Sequence, residues 1–318
     1  MKTLAGHIGA AAIAALTLCQ PALADDLIKM AVGQRGNWDT SVAHLGDKAG
    51  IFKKHGIQLE IVYTAGSGET LQPVISGSVD VGVAVGTFGA MAAFSKGAPV
   101  RIIGAQATGA ADYWYAKNPA IKTLKDIKGN SIAFSSQGSS TQSVVRAFIN
   151  EFKIDAKPQA TGNPSATLTA VMTDQVDVGW AAPPFGLKEI DEGKIHIVAK
   201  ATDATIVRGQ TIRVLVTNTE ALKNKKAVLD RFMAAYRETV DYMYSDKPQV
   251  IADYAELTKT TPEMARRVRD EFFPKSIIDP DTFVGLDTLM PEAVTLKFIP
   301  APLSKEQVAE LIQIPPKK

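Results

Sequence analysis

Apolar positions in this chain alternate between two spacings. Short, largely apolar stretches at residues 27–33, 57–64, 79–85, 100–106, 131–135, 176–182, 195–199 and 212–216 read as strands. Those at 79–85 and 176–182 are nearly continuous, follow polar turn residues and suit parallel strands covered on both faces. Between them, apolar residues recur at helical spacing: Val42, Leu45, Ala49 and Phe52; Leu71, Val74 and Ile75; Val144, Val145, Phe148 and Phe152; Leu168, Val171 and Met172. Asp39 or Thr40 is a suitable cap for the first of these helices, and His55-Gly56 a suitable stop. Residues 88–96 predict a further helix, and 123–128 a short capped one whose lysines form a solvated face. Asp112 to Ala116 reads as another strand. Beyond about residue 220 the pattern is helical. Val228, Leu229, Phe232, Met233, Tyr236 and Val240 share one face, Thr261-Pro262 starts a helix, and Ser304 with Gln307 makes a capping box. The fold class is α/β.

One helix-turn-strand stretch occurs twice. Residues 64–89 match residues 161–186 at a constant separation of 97, without a gap. Thr64, Thr70, Leu71, Val74, Val79, Asp80, Val81, Gly82, Ala84, Phe88 and Gly89 all recur, where composition alone gives roughly two coincidences. One α/β unit is therefore used twice, in two similar lobes. Asp80 and Asp177 stand at strand entrances. Ligands gather at strand exits in open α/β sheets, so these two acids are read as structural. The exits are Gly86, Thr87 and Phe88 in one copy and Pro183, Pro184 and Phe185 in the other. The small, unpatterned residues 107–110 predict a crossing between lobes, and residues 200–208 the return.

The first 24 residues read as an export signal. Lys2 precedes an apolar stretch over 8–18, and Ala22-Leu23-Ala24 is an A-x-A cleavage site. The stretch is too short for a stable membrane anchor. Cys19 follows Leu18, a poor fit to a lipoprotein signal, and it leaves with the leader. Residues 25–318 then carry no thiol, and 34 basic residues stand against 33 acidic ones. That balance gives no electrostatic footprint for nucleic acid. The expectation is an exported, soluble monomer whose stability rests on its core.

Candidate chemistry is sparse. His44, His55 and His196 lack paired-ligand spacing, and there is no G-x-S-x-G elbow, phosphate loop or dinucleotide fingerprint, so no metal or cofactor is expected. The stronger signal is polar strand exits that converge. Ser135, Ser136, Ser139, Ser140 and Thr141 surround Gln137-Gly138 and open a helix, which favours an anion over a simple serine cap. Arg35 is placed to clamp a carboxylate or sulfonate, with a surface arginine as the equal alternative. Asn37 shares its loop, and Trp38 and Trp180 offer apolar walls, although the counterpart of Trp180 is the core-type Val83. Ser67 and Gly68 precede Glu69, an acid that suits either a ligand ammonium or, preferably, the helix dipole. Gly86, Thr87 and Pro183 complete the candidate site; Pro183-Pro184 is either a rigid wall or a turn.

The run AGIFKKHGIQLEIVYTAGSGETLQPVISGSVDVGVA, then TLKDIKGNSIAF and VDVGWAAPPF, resembles periplasmic substrate-binding proteins of ABC importers. The nearest branch is the nitrate, sulfonate and taurine group with its NMT1/THI5-like domain, and the likeness runs to about Tyr244. It implies a two-lobed periplasmic-binding-protein fold of type II. Each lobe would be a mostly parallel sheet flanked by helices, and two hinge crossings would join them. The lobes would divide as 25–107, 108–203 and 204–318, the last returning to the first lobe with the C-terminal helices. It implies binding loops at 34–38, 66–69, 86–88, 136–141 and 182–185, a small organic anion as ligand and a membrane permease as partner. The cysteine-rich signature of pyrimidine-synthesising members is missing, which counts against an enzyme acting on a pyrimidine, the alternative reading. A regulator's sensing domain would need a DNA-binding or signalling segment that the sequence lacks.

Overall fold

The computed structural model describes residues 25–317. The expected leader and its cleavage site after Ala24 lie outside the described residues. The chain first lays down β1 (Asp26–Gly33), α1 (Val42–Lys48), α2 (Ile51–Lys54), β2 (Ile57–Thr64), α3 (Ser67–Ile75), β3 (Val81–Gly86), α4 (Thr87–Ser95) and β4 (Val100–Thr108). It crosses at residues 109–112 and forms β5 (Tyr113–Ala116), β6 (Ser131–Phe134), α5 (Ser140–Phe152), β7 (Lys157–Ala160), α6 (Pro164–Met172), β8 (Val178–Ala181), α7 (Leu187–Asp191) and β9 (His196–Lys200). It then returns as β10 (Thr211–Asn218), α8 (Thr219–Asn224), α9 (Lys226–Met243), α10 (Pro248–Thr258), α11 (Pro262–Arg267), α12 (Leu286–Thr295) and α13 (Lys305–Leu311).

These strands make two five-stranded sheets, ordered β2-β1-β3-β10-β4 and β7-β6-β8-β5-β9. Each contains one reversed strand. β10 is antiparallel to β3 and β4, and β5 is antiparallel to β8 and β9. In both sheets the reversed strand is the one the chain makes on arriving from the other lobe. The two crossings therefore enter the sheets side by side, next to the strand exits.

The repeated residues have repeated physical jobs. Thr70 and Thr167 are not caps: α3 and α6 begin three residues earlier. Their hydroxyls bond back to Gly66 O at 3.1 Å and Asn163 O at 3.0 Å, and meet the strand-end hydroxyls of Thr64 at 2.7 Å and Thr161 at 2.6 Å. Asp80 accepts the Lys29 amide at 3.0 Å, and Asp177 accepts the Ser131 amide at 2.8 Å, so each carboxylate fastens a strand entrance to its neighbour. Gly82 and Gly179 lie under the helices: an added Cβ would stand 2.9 Å from Val74 Cγ2 and 2.7 Å from Val171 Cγ2.

Four local expectations differ. The helix expected over 40–55 is broken by Gly50 in the left-handed region, which leaves Ala49 exposed instead of buried. Its first segment begins after Ser41, whose hydroxyl donates to Asn37 O at 2.6 Å and caps no amide, while Asp39 and Thr40 bond elsewhere. Phe152, at the end of α5, is 37% exposed. The edge strand β7 was not foreseen: Lys157-Pro158-Gln159-Ala160 is exposed throughout and has no apolar signal, although Pro is at home on an edge. The C-terminal segment ties both lobes together. Ile312 bridges to Ile102 of β4, and Arg146 of α5 donates to Leu296 O at 2.8 Å with its guanidinium over Phe298.

Candidate functional site

The strand exits of the two sheets face each other across a cleft. On the first lobe, the β1 exit holds its own shape: Thr40 Oγ1 donates to Gln34 O at 2.7 Å, and Asn37 Nδ2 donates to Gln34 Oε1 at 3.1 Å. Trp38 is fully buried; its Nε1 donates to Tyr244 OH at 3.0 Å, and it packs edge-on against Tyr254. It therefore joins the first lobe to the C-terminal helices. Ser67 Oγ accepts the Gly86 amide, and Thr87 Oγ1 donates to Thr211 O at 2.7 Å. The Glu69 carboxylate accepts the Ala65 amide at 3.0 Å, within its own helix start.

On the second lobe, the serine-rich turn is internally engaged. Ser139 caps α5 by accepting the Gln142 amide at 3.0 Å. Thr141 Oγ1 accepts the Ser135 amide at 2.9 Å, and the Gly138 amide donates to Gln142 Oε1 at 2.8 Å. Pro183 is buried at the β8 exit. Trp180 is the register partner of Trp114, which packs edge-on against Phe148 of α5. Trp180 thus shares the α5 face of the sheet, inside the second lobe.

Ser136 and Ser140 reach across instead. Ser136 Oγ accepts the Gly68 amide at 3.2 Å, and Ser140 Oγ accepts Arg213 Nε at 3.0 Å. Backbones nearly touch along this line. A Cβ on Gly86 would lie 2.6 Å from Gly138 O, and one on Gly89 only 2.3 Å from it.

Arg213, from β10, occupies the cleft floor. Its Nη2 donates to Asp112 Oδ1 at 2.7 Å, on the first crossing, and its Nη1 to Asp39 Oδ2 at 3.0 Å, on the β1 exit. Gln106 Nε2 donates to the same Asp39 oxygen at 3.1 Å. All four side chains are buried. Burial pushes Asp112 above the usual carboxylate range, against the pull of Arg213. The cluster joins both crossings to both cleft edges.

Two cavities border the cleft. A small one is lined by Thr87 and Phe88, by Ser140 and Val144 of α5, and by Ile206 and Ile212 around the second crossing. A larger one, of about 390 Å³, opens at the cleft mouth. Its walls are Arg35, Gly36 and Tyr63–Ala65 of the first lobe, 163–165 and Phe185 of the second, and Leu257–Lys259 from the end of α10. The Arg35 guanidinium stands 5.4 Å from the Tyr63 ring centre. Arg35 and Lys259 bring two positive charges, and no carboxylate lines the wall.

Of the residues expected at the site, Arg35 borders the larger cavity and Thr87 and Ser140 the smaller one. Ser67, Gly68, Gly86, Ser136 and Gly138 lie along the line of contact. Sequence reasoning missed Arg213, Asp112, Gln106, Tyr63 and Lys259. Arg213 did leave a signal, a lone charge within the apolar strand TIRVLVT. Asp112 and Asp39 were legible only as a strand start and a cap. Lys259 follows a helix far along the chain, and nothing local marks it.

Two lobes, two crossings and a cleft lined by strand exits define the periplasmic-binding-protein architecture. The NMT1/THI5 like family model matches residues 40–249, and the chain belongs to that family. A protein of Brucella abortus (strain 2308) that carries a provisional binding-protein name is 27% identical over 230 residues, 68% of this chain and 69% of the relative. Among solved structures, the alkanesulfonate-binding protein SsuA of Xanthomonas axonopodis pv. citri, bound to MOPS, superposes with a TM-score of 0.75 at 16% identity, over 91% of this chain and 99% of that one. The nitrate-binding protein NrtA of Synechocystis PCC 6803 gives 0.70 at 14% identity, over 90% and 84%. At such identities the likeness establishes the fold.

Proposed function

We propose that this protein is an exported solute receptor that binds a small organic anion between its lobes and presents it to the permease of an ABC importer. The observation that carries this reading is the charge of the larger inter-lobe cavity. Both lobes contribute walls, Arg35 and Lys259 supply positive charge, and no acid is among the lining residues. Its volume falls within the roughly 300–1,000 Å³ usual for small-ligand sites. Tyr63 and Phe185 add aromatic walls, which suit an organic anion better than a bare inorganic one. Sulfonates, including taurine, and small carboxylates, aromatic ones included, fit this lining. The family and the solved structures that resemble the chain support the transport role. The hydroxyls of the serine turn are engaged by the protein itself, so the anion's charge is met chiefly at Arg35 and Lys259.

The test is a thermal-shift and calorimetric screen of residues 25–318 against alkanesulfonates, taurine, benzoate, nitrate and pyrimidines. A ligand that binds only the folded state raises the melting temperature by mass action. Organic anions are expected to raise it, and the combined Arg35→Ala, Lys259→Ala variant to lose affinity about tenfold or more. Binding of a neutral pyrimidine with no response to any anion overturns the reading, as does turnover of the bound compound.

A further inference from the structure

We propose that closure of this protein is governed by a backbone-to-backbone seam in which Gly89 is the decisive position, although Gly89 lies at neither cavity. Gly89 is the third residue of α4 on the first lobe. The three atoms nearest to a Cβ placed there all belong to Gly138 of the second lobe: its O at 2.3 Å, its carbonyl carbon at 3.1 Å and its Cα at 3.2 Å. Real Cβ atoms do not approach other atoms so closely, and a backbone cannot swing aside as a flexible side chain does. Gly138 has little freedom to retreat. It sits in the left-handed region at φ 75°, its amide is held by Gln142, and Ser139 beside it caps α5.

The seam continues on either side. Gly86 would bring a Cβ to 2.6 Å from Gly138 O and 2.7 Å from Ser140 N, and Gly68 one to 2.9 Å from Gln137 O. The contacts are made by the chain's own atoms, with the Gly68 amide donating to Ser136 Oγ and Arg213 Nε to Ser140 Oγ. The lobes therefore meet on their own surfaces beside the larger cavity. How far they approach depends on hydrogen atoms standing where other residues carry a methyl. Gly89 is a positioning residue, acting through the separation of the lobes. Within its own lobe a methyl meets nothing nearer than Gly138, and alanine is the better helix former. One substitution is thus expected to firm the first lobe while holding the two lobes apart.

The experiment does not depend on the receptor reading, because it uses no ligand. Nitroxide labels go on Gln58→Cys and Gln159→Cys, exposed positions on the edge strands β2 and β7, in residues 25–318, which carry no other cysteine. Spin-spin distances then report lobe separation. A substantial short-distance population is expected without substitution in the seam. Gly89→Ala should reduce it at least about tenfold, with an unchanged or higher melting temperature. Gly86→Ala and Gly68→Ala should follow in that order of decreasing effect, matching the depth of each approach. The proposal is overturned if the parent protein shows only the long distance, or if Gly89→Ala leaves the distribution unchanged. It is also overturned if the three variants fail to follow the order of their approaches. A lower melting temperature for Gly89→Ala with unchanged short distances would show a role inside the first lobe and would likewise overturn it.

Discussion

Residues 64–89 and 161–186 share sequence and diverge in use. In the joints that hold helix, strand and sheet together the copies match. Thr70 and Thr167 close the same hydrogen-bond loop, Asp80 and Asp177 hold the same neighbouring strand, and Gly82 and Gly179 admit the same helix. At the exits, identical residues do different things. Phe88 is buried, 5.2 Å from the ring of Phe298, whereas Phe185 is half-buried and lines the larger cavity. Gly89 abuts Gly138 across the cleft, whereas Gly186 takes φ 81° at the start of α7. The difference teaches that an internal repeat preserves what holds a strand to its helix and sheet, while the edges facing the cleft follow their surroundings.

The strongest way to break this comparison lies at the floor where the two lobes meet. Arg213→Met should leave Asp39 and Asp112 buried without their cation and cost about 3–5 kcal/mol in urea unfolding. A loss below about 1 kcal/mol would mean that the cluster is open to water. Next, the two phenylalanines sharpen the contrast between copies. Phe88→Ala should cost about 3–5 kcal/mol as a core truncation, and the half-exposed Phe185→Ala clearly less. Phe185→Ala should instead weaken ligand binding. Equal stability losses would erase the distinction drawn between the exits.

The smallest expected effect is a pH dependence near the mouth. His44 is held below its ordinary value of 6.5, first by burial and then by the charges of Arg35 and Lys48, with Asp47 and Asp253 opposing. The unfolded chain therefore binds this proton more readily than the folded one. The stability associated with neutral His44 is fully present above pH 6.5 and is lost as pH falls through its lowered value in the fold. His44→Gln should flatten the acid side of the melting-temperature profile in that window; an unchanged slope there would refute the assignment.

Periodicity and the repeat carried most of the architecture. The period of each segment, the matching of 64–89 with 161–186 and the small residues near 108 were enough to read alternating strands and helices in two lobes. They were local signals, and local chemistry enforces them: a buried strand must be apolar, and a helix packed against it must leave space at Gly82. Where the signal was weak or ambiguous the reading failed, as at the polar edge strand β7 and at Ala49, where Gly50 ends the helix early.

The cleft was legible only in part. Arg35 read equally as an anion clamp or as a surface arginine, and it borders the larger cavity. The serine turn stood out, yet its hydroxyls proved to serve α5 and the closing seam.

The amino-acid sequence by itself determined which segments become strands and helices and that one unit is used twice, because those outcomes depend on neighbours a few residues away. Only the tertiary structure decided which charges meet. Asp39, Asp112 and Arg213 come from separate segments, and Arg35 reaches the same cavity as Lys259 only after both crossings are made. Their partnership arises from topology, which places the chain's two arrivals beside its strand exits and so brings distant residues within hydrogen-bonding range.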